Sequence, residues 1–197
     1  VSSAASDVYK RQGNIIGFAG RTLSGDQKEV KYLNSPETRL YIKGNILFGL
    51  DCAKSEIRRQ DQVLIMEGYF DQMRAVQSGI YNVVATGGTA LTPKQAFLIK
   101  NHTMNVILAF DSDPAGQSAA KRGFDLLLEQ GMNVSIVTMP ERHDPDSFIR
   151  EQGAQAFIEL VNEAEPYLEY FIRKTVAAGK INKTSGKVEV VNLILPV

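Results

Sequence analysis

Three apolar runs in the middle of the chain each end in acidic residues, and this arrangement leaves little freedom for the fold. Val63–Met66 leads into Glu67-Gly68-Tyr69-Phe70-Asp71, Asn105–Phe110 into Asp111-Ser112-Asp113-Pro114, and Val134–Met139 into His143-Asp144-Pro145-Asp146. Short runs rich in Val and Ile, with little polar alternation, suit strands buried on both faces of a parallel sheet. Segments of helical pattern separate them, so the order is strand, helix, strand, helix. With right-handed crossovers, the carboxyl ends of such strands share one edge of an open sheet. Glu67, Asp111 and Asp144 are therefore expected on that edge, with Asp71, Asp113 and Asp146 beside them.

Carboxylates grouped in this way repel, and burying one unpaired is costly, so the cluster needs cations or solvent. Ligands that are all oxygen point to Mg²⁺ or Mn²⁺ rather than zinc. The competing explanation is that each acid is a helix N-cap or a solvated loop residue. That explanation suits any single Asp better than it suits three acidic groups at matching positions.

At 197 residues and 44% hydrophobic, the chain can bury a core as one large domain or two small ones. Its charges balance overall but not along its length. Residues 1–60 hold 10 Lys/Arg against 6 Asp/Glu, and residues 61–197 hold 12 against 16. A basic first part beside an acidic second part fits a device that holds a polyanion next to metal ions. Cys52 is the only cysteine, which excludes an internal disulfide framework and a multi-cysteine zinc site within this chain; a small buried residue is its expected role. No apolar run approaches the ~18 residues that span a bilayer. No charged-then-apolar leader is present, so a cytoplasmic location is the expectation.

In chain order, residues 1–12 lack periodicity and are set aside as a non-native leader. Residues 13–60 form a basic subdomain: a strand-like stretch to Leu23, an irregular segment Lys31–Thr38 turning at Asn34-Ser35-Pro36, a short strand before Lys43-Gly44, and a helix within Leu47–Arg59. Residues 61–150 carry the central unit. There the backbone N–H groups of the Gly87-Gly88-Thr89 turn are candidates for a phosphate, or simple turn punctuation. Thr92-Pro93 opens a helix, and Asp146 is placed to cap another at Phe148–Gln152. Residues 151–197 begin a helical subdomain, with Gly179–Lys187 read as a linker. His143 and His102 are read as structural.

Met66-Glu-Gly-Tyr-Phe-Asp71, Phe110-Asp-Ser-Asp-Pro-Ala-Gly116 and Asp144-Pro-Asp-Ser-Phe-Ile149 resemble, in order and spacing, the Toprim domain of bacterial DnaG-type primases. Gly20-Arg21, Lys31-Tyr-Leu-Asn-Ser-Pro-Glu-Thr38 and Lys43-Gly44 look like the basic segment that precedes Toprim in those primases. The likeness spans about Gly13 to Val197; Ser112 and Pro114 fall where the family varies. It implies an α/β fold: an open, mainly parallel sheet flanked by helices, preceded by part of a mixed α+β basic subdomain and followed by the start of a helical one.

The resemblance also implies an RNA polymerase that writes short primers on single-stranded DNA from ribonucleoside triphosphates with Mg²⁺. Glu67, Asp111 and Asp113 would be the principal catalytic metal ligands, with Asp71, Asp144 and Asp146 shaping a second position. Arg21, Lys31, Asn34 and Lys43 would hold template or nucleotide. The family's zinc-binding domain and helicase-binding tail match nothing in this sequence, so zinc and the replicative helicase are expected to engage other segments of a longer protein. Two alternatives stand beside it: another Toprim enzyme, a nuclease or topoisomerase, and a non-catalytic binding module.

Overall fold

The computed structural model describes residues 3–9, 14–22, 32–141 and 143–194. The chain opens with an antiparallel sheet of β1 (Ser3–Tyr9), β2 (Ile15–Thr22) and β3 (Tyr32–Asn34) in that order. This corrects the exclusion of residues 1–12 from the fold: Ser3 pairs with Thr22 and the ladder runs on to Tyr9 opposite Ile15. Cross-strand pairing with the next strand holds β1, whose own small and polar residues carry no periodicity to read.

The short strand expected before Lys43 is also corrected. The Thr38 hydroxyl accepts the N–H groups of Leu40 and Tyr41, and the Thr38 N–H donates to the Tyr41 carbonyl. With its hydrogen bonds spent locally, the chain enters a 3₁₀ turn at Lys43–Asn45.

From there the elements are α1 (Leu50–Gln60), β4 (Val63–Met66), α2 (Tyr69–Gln77), β5 (Val83–Ala85), α3 (Pro93–Lys100), β6 (Asn105–Leu108) and α4 (Pro114–Glu129). They continue as β7 (Asn133–Ile136), α5 (Pro145–Gln152), α6 (Ala154–Asn162), β8 (Glu165–Pro166), α7 (Tyr167–Ala177) and α8 (Thr184–Ile194). The sheet order is β5-β4-β6-β7-β8, with the first four parallel and β8 antiparallel. The expected open, mainly parallel sheet flanked by helices is what forms.

Both faces of that sheet are covered, which explains the near-absence of polar alternation. Ile65, Val84, Leu108 and Ile136 pack against α1, α3, α4 and α7, where Phe124 and Tyr167 stack with centroids 4.3 Å apart. Leu64, Met66, Val83 and Ile107 face α2, α5 and α6, and bury Phe148 and Phe157. Each such aliphatic side chain contributes about 1.5–3 kcal/mol by leaving water. A third cluster, made of Ala19, Tyr41, Phe48, Tyr69 and Ala85, joins the N-terminal sheet to the parallel one.

Three smaller expectations change. Cys52 is exposed on α1. The span read as a linker after Gly179 holds a 3₁₀ turn at Lys180–Asn182 and the start of α8 at Thr184. Asp144, not Asp146, caps α5. Among the described residues, no helix is long and apolar enough to cross a membrane.

Candidate active site

The parallel strands deliver their acids to one edge, as the crossover rule requires. Glu67 follows β4 directly, and its carbonyl accepts the N–H groups of Gly87 (3.0 Å) and Gly88 (2.9 Å). Those two donors are thus used within the protein, which favours turn punctuation over a phosphate contact for them. Gly87 sits at φ +77°, and a Cβ there would lie 2.5 Å from the Tyr69 hydroxyl, so glycine lets the turn close over Tyr69. Asp111 lies past β6, and α4 packs so closely on its backbone that a Cβ at Gly116 would overlap the Asp111 carbonyl.

Several of the acids also hold the backbone together. Asp113 caps α4 by accepting the Gly116 N–H at 2.7 Å, and Asp144 caps α5 by accepting the Ser147 N–H at 2.7 Å. Asp71 accepts the Gly68 N–H and the Asp146 N–H, each at 3.1 Å, and so ties α2 to α5. Asp146 pairs with Arg74 at 2.7 Å. N-capping, set against metal binding in the sequence, is the role that Asp113 and Asp144 show here.

Glu67, Asp71, Asp111, Asp144 and Asp146 line a cavity of about 280 Å³, together with Asn34 and Lys43 from the N-terminal part. Asp113 lies outside the lining, though its charge still acts on Glu67. The Arg21 backbone pairs with Ala4 and Tyr32 in the N-terminal sheet, and Lys31 lies outside the described residues. His143 stands edge-on to Phe148.

Burial, then the charges of Asp111 and Asp113, push the Glu67 carboxyl up to about 7; an N–H from Asp111 and the Arg122 charge pull the other way. Burial likewise raises Asp71 to about 7, opposed by the Asp146 N–H and increased by Asp111 and Asp144. Glu67 Oε1 is buried with no hydrogen-bond partner, and so is Asn34 Oδ1. An orphaned carboxylate oxygen among like charges fits a hard divalent cation. Among the described residues, no three such side chains converge tightly enough to hold an ion as they stand.

Gln95 was not singled out in the sequence. With Thr92, read there as the start of α3, it forms a capping box, and the Thr-x-x-Gln spacing was there to be read. From that box Gln95 reaches Lys43, described below.

The strand order and the acidic edge define a Toprim protein, and residues 64–149 match the Toprim-like family model. Residues 6–54 match the model for the N-terminal domain of the DNA primase catalytic core. The chain belongs to the bacterial DnaG-type primase family, as a segment of its catalytic core.

A curated DNA primase from Clostridium acetobutylicum is 45% identical over 168 residues, covering 85% of this chain and 28% of that protein. The crystal structure of the Aquifex aeolicus primase zinc-binding and RNA polymerase domains superposes with TM-score 0.83 at 39% identity, over 96% of this chain and 46% of that one. A DnaG primase catalytic domain bound to single-stranded DNA matches with TM-score 0.83 at 31% identity, over 98% and 63%. The chain thus spans under a third of the Clostridium relative's length.

Proposed function

We propose that this chain is the metal- and phosphate-holding part of a DNA primase, a transferase that joins ribonucleotides on a single-stranded DNA template. The observation that carries the reading is the buried, partnerless Glu67 Oε1, set in a cavity lined by carboxylates and by Lys43. Glu67, Asp111 and Asp113 are the proposed ligands of a first Mg²⁺ or Mn²⁺, and Asp71, Asp144 and Asp146 shape a second position. When bound, such cations neutralise charge on the triphosphate and lower the pKa of the attacking hydroxyl.

The side chains of the protein then have distinct tasks. Asp113 and Asp144 each have one oxygen engaged in capping a helix, which fixes the direction of the carboxylate and leaves its other oxygen for a cation. Asp71, held by two N–H donors, keeps the Glu67 turn and the start of α5 in register. Lys43 and Arg21, with Lys31, balance phosphate charge along template or nucleotide, giving affinity that is salt-dependent and largely indifferent to sequence. Asn34 Oδ1 is a buried acceptor at the same cavity, suited to a donor on the nucleotide.

The match of the basic N-terminal segment to the primase model supports this reading over a nuclease, a topoisomerase or a passive module. Single-stranded DNA and ribonucleoside triphosphates are the proposed partners. A replicative helicase and a zinc site belong to segments beyond this chain, in a cytoplasmic protein acting at the replication fork.

The test is synthesis by the full-length protein. With single-stranded DNA, ribonucleoside triphosphates and Mg²⁺ it yields short RNA, and Asp111→Ala yields none; output from that variant equal to wild type refutes the assignment. Calorimetric Mg²⁺ titration separates catalysis from passive binding, because a non-catalytic module takes up no metal.

A further inference from the structure

We infer that Gln95 is a positioning residue that sets where Lys43 stands at the acidic cavity, an inference that rests on Lys43 being a phosphate contact. Lys43 belongs to a 3₁₀ turn, Lys43–Asn45, that has no strand ladder to hold it in place. The Gln95 side chain, 0% exposed, reaches this turn from the first turn of α3. Its Nε2 donates to the carbonyls of Lys43 (3.3 Å) and Ile46 (2.7 Å), and its Oε1 accepts the Thr92 N–H (3.0 Å). The Thr92 hydroxyl donates to the Gly44 carbonyl at 2.5 Å and accepts the Gln95 N–H at 3.1 Å.

Three carbonyls of the turn are therefore tied to the N-terminus of α3, and every polar atom of the Gln95 side chain is used. Capping α3 needs only the Thr92 oxygen and the Gln95 Oε1, a task glutamate performs equally well. The two bonds from Nε2 go beyond capping, and only the amide can make them. From its own subdomain the turn is held at the Lys43 N–H, which donates to Glu37. The link through Gln95 joins the cationic segment to the domain that carries the carboxylates, so it fixes the point from which the Lys43 side chain reaches the cavity.

The experiment is a double-mutant cycle in the full-length protein, read as kcat/KM for RNA synthesis on single-stranded DNA. Gln95→Met keeps the volume and removes the bonds. Because about 1 Å of misplacement costs up to about a hundredfold, a loss of about tenfold or more is expected from it, and a comparable loss from Lys43→Ala. Combining them gives no further loss beyond Lys43→Ala. The slope of log affinity for single-stranded DNA against log salt falls by about 0.7 in both single variants, a change that a purely structural role does not produce.

Losses that multiply in the double variant, or full activity in Gln95→Met, overturn the inference while leaving the phosphate reading of Lys43 intact. Full activity in Lys43→Ala overturns both. Should Gln95→Met fail to fold, Thr92→Val, which removes the bond to Gly44 and one cap, takes its place in the same cycle with the same outcomes.

Discussion

Glu67→Gln should make the metal-free protein more stable while removing its capacity to bind a divalent cation. The substitution keeps the shape of the side chain and an acceptor oxygen but abolishes the charge. Burial and the neighbouring Asp111 and Asp113 raise the Glu67 carboxyl from 4.5 to about 7, so the folded state binds its proton more tightly than the unfolded chain. The stability this confers is complete below about pH 4.5 and is lost as the pH rises through about 7. At 1.36 kcal/mol per pH unit, a wholly shielded group would lose about 3 kcal/mol. Solvent reaches part of this carboxylate, and about 1–2 kcal/mol is the expected loss.

In EDTA, urea unfolding should therefore give equal stabilities near pH 4.5, with the Gln variant ahead by about 1–2 kcal/mol at pH 8. For a chain of this size that is about 3–6 °C in thermal midpoint. Adding Mg²⁺ at pH 8 should stabilise the wild type and leave the variant unmoved. A variant less stable than wild type at pH 8 in EDTA would refute the reasoning, since it would mean that the charge at this position is not opposed by its surroundings.

Asp71→Asn should gain less than Glu67→Gln in urea unfolding at pH 8 in EDTA: it too removes a charge that burial opposes, but both Asp71 oxygens accept backbone N–H groups and an amide can serve only one. Gly116→Ala drives a methyl into the Asp111 carbonyl. It should lower stability by about 1–3 kcal/mol and weaken Mg²⁺ uptake in calorimetry together, because the backbone that must give way carries Asp111.

The parallel sheet was legible because its strands are buried on both faces. Ile65 and Leu64 point to opposite helical layers, so the sequence there reads as an unbroken apolar run. The caps were legible for a local reason: Thr92-Pro93 acts within one turn of itself. What could not be read depends on partners outside the segment itself. β1 is defined by β2, and β8, two residues long, by β7. For the site, the sequence placed Glu67, Asp71, Asp111, Asp144 and Asp146 at one edge, and these five line one cavity. It could not reveal that Arg74, 72 positions away, answers Asp146. Nor did it disclose that the glycines after β5 bond to Glu67, since a turn glycine reads the same whatever its N–H meets.

The flanks of the five-stranded sheet bear on how such a segment survives inside a longer polypeptide. On one side Phe48 exchanges both backbone bonds with Ala85, closing β5 with a single bridge; on the other, β8 ends in Pro166, which has no N–H to offer. Among the described residues, neither border of this sheet presents a long row of open donors and acceptors to a neighbouring molecule. Copies crowded together during synthesis thus find little free border on the five-stranded sheet on which to zip once Phe48 and Pro166 are in place.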